Sequence, residues 1–96
     1  MTKTSPTIVF FGSGPVAAKS LQLLAQNFEI EAVVTKPSTV REMVDAFPGG
    51  CVYSVNTRQE LDNLLASEPF QSQIGILIDF GIIVSQTVID YFPKVI

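Results

Sequence analysis

Four short apolar runs constrain this chain more than any other feature. Each is cut off by glycine, proline or a polar stretch, and each is followed by a segment of helical character. The runs cover residues 7–11, 30–35, 51–55 and 74–79, and Lys94, Val95 and Ile96 read as the opening of a fifth. The first run has no polar side to turn to water, which is the pattern of a strand buried on both faces. Helices are expected over residues 15–28, 40–47, 57–67 and 85–91. Strands alternating with helices in this way argue for an α/β fold, a Rossmann-like doubly wound parallel sheet with helices on both faces. The first strand is expected at its centre. Because the fifth strand has only three residues, the expectation is one incomplete domain over residues 1–96, truncated within that strand.

Local signals support these assignments. Pro15 suits a first helical turn, where its missing N–H would have no intrahelical partner. Ala17, Leu21, Leu24 and Phe28 recur at helical spacing and predict one buried face. Thr39 with Glu42, and Thr57 with Glu60, have the spacing of capping boxes. Pro48-Gly49-Gly50 and Pro69 mark stops.

Composition narrows the function. The formal net charge is −3, and the six basic residues Lys3, Lys19, Lys36, Arg41, Arg58 and Lys94 are scattered. A chain of this balance does not offer a principal nucleic-acid surface. A single cysteine, Cys51, excludes an internal disulfide and fits a reducing compartment. There is no histidine to activate it as a nucleophile, so Cys51 reads as a small apolar residue at the start of a buried strand. No metal site is expected. Residues 1–6 are polar and lack the hydrophobic segment of a signal peptide, and no apolar run approaches the roughly 20 residues of a membrane helix. A cytoplasmic protein with no membrane partner is the expectation.

Two loops should lie at the carboxyl ends of the strands, where open α/β sheets bind ligands. Gly12-Ser13-Gly14-Pro15-Val16-Ala17 fits G-x-G-x-x-G/A between a strand and a helix. Glycines permit close approach of a ligand, and a helix start offers free N–H groups. A dinucleotide site also wants an acidic residue after the second strand, and Lys36-Pro37 stands there instead. Three readings remain: a dinucleotide loop, a loop for another anionic or polar substrate group, and a structural turn. Gly12, Ser13 and Gly14 are the candidate substrate-binding residues. Gly14→Val is expected to impair substrate use while leaving the protein folded. The other loop contains Phe80, Gly81, Ile82, Ile83 and Val84, preceded by Asp79.

Taken together, three segments resemble the methionyl-tRNA formyltransferase family. They are Ile8-Val9-Phe10-Phe11-Gly12-Ser13-Gly14-Pro15, then Val33-Val34-Thr35-Lys36-Pro37, then Ile76-Leu77-Ile78-Asp79-Phe80-Gly81-Ile82-Ile83-Val84-Ser85 with Val88-Ile89 and Phe92-Pro93. Their order and spacing carry the resemblance over nearly all of residues 7–96. It implies transfer of a formyl group from 10-formyltetrahydrofolate to the amine of methionyl initiator tRNA. It also implies that Phe80, Gly81, Ile82, Ile83 and Val84 line the pterin pocket, an apolar slot edged by backbone polar groups. The alternative is that these five residues only pack the next helix on the sheet.

The chain departs from the family twice. The longer, basic, glycine-rich loop after T-x-P is reduced to Lys36-Pro37-Ser38, and Asp79 stands where a small residue is commoner. Asp79 reads either as a site residue or, preferably, as an acceptor of N–H bonds from its own loop. The family's catalytic Asn-x-His and its Asp would follow Ile96. The resemblance therefore assigns no catalytic residue to this chain, which alone is expected to be inactive, with initiator tRNA engaged through the full-length protein. An uncovered apolar face, and self-association through it, are expected of a truncated domain. The rivals are a nucleotide-binding Rossmann module, a formyltransferase using another amine acceptor, and a non-catalytic interaction domain.

Overall fold

Apolar side chains that alternate between two faces of a strand need a cover on each face, and this chain supplies two helices for each. The computed structural model describes residues 7–96; the expectation for residues 1–6 lies outside it. The elements run β1 (Thr7–Gly12), α1 (Pro15–Ala25), β2 (Glu29–Thr35), a 3-10 turn (Pro37–Thr39), α2 (Val40–Ala46), β3 (Val52–Ser54), α3 (Arg58–Ser67), β4 (Ile74–Ile78), α4 (Gln86–Tyr91) and β5 (Lys94–Val95). The five strands form one sheet in the order β3-β2-β1-β4-β5, and every pairing is parallel. This is the α/β, Rossmann-like arrangement expected, with β1 at its centre.

Phe10 and Val33 point to one face and are covered by Ala17 and Leu21 of α1 and Met43 of α2. Val9, Phe11, Ala32 and Val34 point to the other, under Leu61 and Leu65 of α3, Val88 of α4, and Phe92. Ile8, Val9, Phe10 and Phe11 are all essentially inaccessible to water. Helices in two pairs on opposite faces are what right-handed crossovers require when the chain leaves β1 first one way and then the other.

At the amino end of the sheet, the Glu31 carboxylate accepts the N–H groups of Gln71 and Ser72 and the Ser72 hydroxyl, the last at 2.6 Å. These bonds tie the segment entering β4 to β2. Ser72 is buried, and its hydroxyl also reaches Thr7 Oγ1 at 2.9 Å.

Some boundaries and environments differ from expectation. Helix α1 ends at Ala25, because Asn27 and Phe28 both donate their N–H to the Leu24 carbonyl and close a turn. Phe28 is consequently exposed rather than on the buried face. Cys51 precedes β3, an edge strand of only three residues, and is exposed rather than buried. Thr57 caps α3 through the Glu60 N–H, but the Glu60 carboxylate passes over the Thr57 N–H and takes that of Asn56 at 2.6 Å. Thr39 makes no cap at all, for the reason given below. None of the helices described is long and apolar enough to cross a membrane.

Candidate functional site

Strand β1 lies between β2 and β4, so the loops following these three strands share one edge of the sheet. From β1 the chain works outward through β2 and β3, then resumes on the other side with β4 and β5. The reversal lies between β1 and β4, where open α/β sheets form their ligand crevice. Both candidate loops therefore meet at the switch point.

In the first loop the two glycines do different work. Gly12 is enclosed: a β-carbon there would stand 2.6 Å from Phe10 Cε2, 2.7 Å from Ala17 Cβ and 2.9 Å from the Ile78 carbonyl oxygen. The close approach of α1 to the ends of β1 and β4 is sufficient reason for glycine at this position. Gly14, with φ 97° and ψ 177°, occupies the N-cap position of α1 in a conformation essentially confined to glycine. Only Asp79 Oδ2, 3.9 Å away, comes within 4 Å of where its β-carbon would be. Gly14→Val would therefore strain the backbone by about 1–3 kcal/mol, and the expectation that it leaves folding untouched is revised. Ser13 is held from the side, its Oγ 3.1 Å from Thr39 Oγ1.

Thr39 is the centre of a hydroxyl chain. Its Oγ1 lies 2.6 Å from Thr35 Oγ1 and 3.3 Å from the Lys36 carbonyl. A carbonyl only accepts, so Thr39 donates to Lys36, and the Thr35 and Ser13 hydroxyls donate to Thr39. Thr35 is fully buried at the end of β2. This engagement takes Thr39 away from capping α2 and instead ties the β2 loop to the glycine loop.

In the loop after β4, Asp79 is exposed and has φ 50°, an uncommon backbone that Asp tolerates better than most residues. Its carboxylate lies toward Gly14 across the switch point rather than turning back into its own loop. Phe80 turns the other way, buried against Phe11 edge-on at a centroid distance of 5.7 Å. Lys36 lies over Gly81: a β-carbon at Gly81 would meet Lys36 Nζ at 2.5 Å and Cε at 2.9 Å. Ile82 and Val84 are partly buried against the core, while Ile83 is 81% exposed.

Of the eight candidate residues, Gly12 and Phe80 are thus enclosed by packing and Ser13 is tied to Thr39. Gly14, Gly81 and Ile83 lie on accessible parts of the two loops, and Ile82 and Val84 lie between core and surface. Thr35 and Lys36, known from the sequence only as the end of the second strand and its shortened loop, join the site, and so does Thr39, which the sequence offered only as a helix cap. Two threonines four residues apart around Lys36-Pro37 were the available signal. Among the described residues, no three His, Cys, Asp or Glu side chains gather as a metal cluster. A shallow groove of mixed character between α1 and α2, lined by Lys19, Glu42 and Asp45 together with Pro15, Ala18 and Ala46, lies on the flank of the sheet.

No family model matches the chain. Among curated proteins, methionyl-tRNA formyltransferase of Mycoplasma genitalium is 31% identical over 98 aligned positions, which take in 91% of this chain. The chain spans about a third of that relative's length (32%). The resemblance seen in the order of the three segments therefore holds along nearly the whole chain.

Proposed function

We infer that these residues form the opening part of a formyltransferase-type domain. In this reading the protein carrying it transfers a formyl group from 10-formyltetrahydrofolate to the amine of methionyl initiator tRNA, in the cytoplasm. The similarity to methionyl-tRNA formyltransferase over 91% of the chain carries this reading. The meeting of the two loops across β1 and β4 supports it. A pterin is flat and partly apolar and is best held in a slot with apolar walls and backbone polar groups at the edge. Gly81 to Val84 would supply one wall, with the exposed Ile83 as its most available apolar surface. Phe80, buried against Phe11, would hold that wall in place from behind. Gly14 would face the acceptor.

Formyl transfer also needs a group to take the proton from the attacking amine and donors to hold the tetrahedral oxyanion. With no histidine among the 96 residues, we assign both roles to other parts of the protein. The experiment compares the 96-residue chain with the full-length gene product, each given 10-formyltetrahydrofolate and charged initiator tRNA, with formylmethionine measured. Turnover by the full-length product and background for the chain alone are expected. Formylation of a different amine would move the reading to another acceptor. Failure to use 10-formyltetrahydrofolate with any amine would overturn it. Turnover proportional to the concentration of the 96-residue chain would show that the catalytic groups were wrongly assigned.

A further inference from the structure

We propose that Lys36 pairs with the acidic end of the folate co-substrate, and so selects a glutamate-bearing pterin for the wall formed by Gly81 to Val84. The inference rests on the formyl-transfer reading and adds to it a residue to which the resemblance gives no role.

Lys36 follows β2 and Gly81 follows β4, with β1 between these strands, so the lysine side chain crosses the carboxyl end of β1 to reach the opposite loop. It is half-buried. Its base is fixed, because the Lys36 carbonyl accepts the Thr39 N–H at 3.0 Å and the Thr39 hydroxyl at 3.3 Å. Its tip is placed as well. Nζ lies 2.5 Å, and Cε 2.9 Å, from where a β-carbon of Gly81 would stand. Glycine at this position leaves the space that the ammonium fills. Asp79, two residues before Gly81, sends its carboxylate toward Gly14 instead.

A tetrahydrofolate has two unlike ends. The pterin is flat and partly apolar, and the glutamate carries carboxylates. The ring gains by entering an apolar slot, whereas a carboxylate taken from water needs a cation or must stay at a wet rim. The wall offers both environments. Ile82 and Val84 pack on the core and Ile83 stands open, while the exposed Gly81 and the ammonium over it form the rim. A carboxylate at that rim meets Lys36 through a charge-assisted hydrogen bond. The acceptor side of the crevice differs, since Gly14 is approached by the Asp79 carboxylate and not by Lys36. This assigns Lys36 to the co-substrate.

The test measures equilibrium binding to the full-length gene product by calorimetry at fixed ionic strength. The probes are 5-formyltetrahydrofolate, a stable isomer of the co-substrate, and 5-formyltetrahydropteroate, which lacks the glutamate. Lys36→Met keeps the alkyl stem and removes the charge. It should weaken binding of the folate about fivefold and leave binding of the pteroate as it was. Lys36→Arg should restore the preference for the folate. Should Lys36→Met fold poorly, Lys36→Gln is expected to give the same result. Equal weakening of both probes, or of neither, would overturn the inference. So would a loss confined to charged initiator tRNA, which would place Lys36 on the acceptor. These outcomes leave formyl transfer by the unaltered full-length product intact. A product that uses 10-formyltetrahydrofolate with no amine overturns the underlying reading, and this inference with it.

Discussion

Helices α2 and α3 both follow a threonine that stands three residues ahead of a glutamate, yet they begin differently. At α3, on an exposed flank, Thr57 accepts the Glu60 N–H at 3.1 Å and serves its own helix. At α2, beside the crevice, Thr39 bonds to Thr35, Ser13 and the Lys36 carbonyl and leaves its helix uncapped. Helix α2 is entered instead through the 3-10 turn Pro37–Thr39, whose Thr39 N–H reaches the Lys36 carbonyl. The difference shows what this edge of the sheet is for. Away from it a polar side chain finishes a local element, whereas at it the same kind of side chain ties one loop to another.

The largest expected effect comes from the residue that brings these loops together. Gly12→Ala places a methyl group against Phe10, Ala17 and the Ile78 carbonyl, and the backbone oxygen cannot swing aside. A destabilisation of about 3 kcal/mol is expected in denaturant unfolding. Thr39→Val should come next, at about 2 kcal/mol, because it strands the buried Thr35 hydroxyl without its partner. Thr57→Ala removes only an exposed cap and should cost about 1 kcal/mol. If Thr57→Ala proved as costly as Thr39→Val, the contrast between the two helix starts would fail.

The smallest effect lies on β3, away from the crevice. Burial, and then the nearby Glu68 carboxylate, raise the Tyr53 phenol above its ordinary pKa of 10.0. The folded state thus holds this proton more tightly than the unfolded chain. The stability linked to it is complete below pH 10 and is lost as pH rises through the raised value. Tyr53→Phe should remove that part of the alkaline decline and leave the neutral-pH contrast between Thr39 and Thr57 unchanged.

The sheet was legible in the sequence because strand burial and helix spacing are local patterns. The run Ile8-Val9-Phe10-Phe11 announced a central strand, and Pro15 announced the helix after it. The site was legible only in outline. Its two loops follow from strand ends, but Thr39 and Thr57 share one local string, and only their neighbours in space distinguish them. Lys36 over Gly81 joins residues 45 positions apart, a contact that depends on β1 lying between β2 and β4. An aromatic at a strand end such as Phe80 looks the same in sequence whether it faces a ligand or packs on Phe11, as it does here. Cys51 was misplaced because an edge strand of three residues buries less than an apolar string suggests.

The central claim is that the β2 loop and the glycine loop are tied through Ser13 and Thr39. A double-mutant cycle with Ser13→Ala and Thr39→Val, read by denaturant unfolding, tests it most directly, with Ser13→Ala and Thr57→Ala as the control pair. The account predicts a coupling of about 0.5 kcal/mol or more for the first pair and additivity for the second. Additivity in both would contradict it.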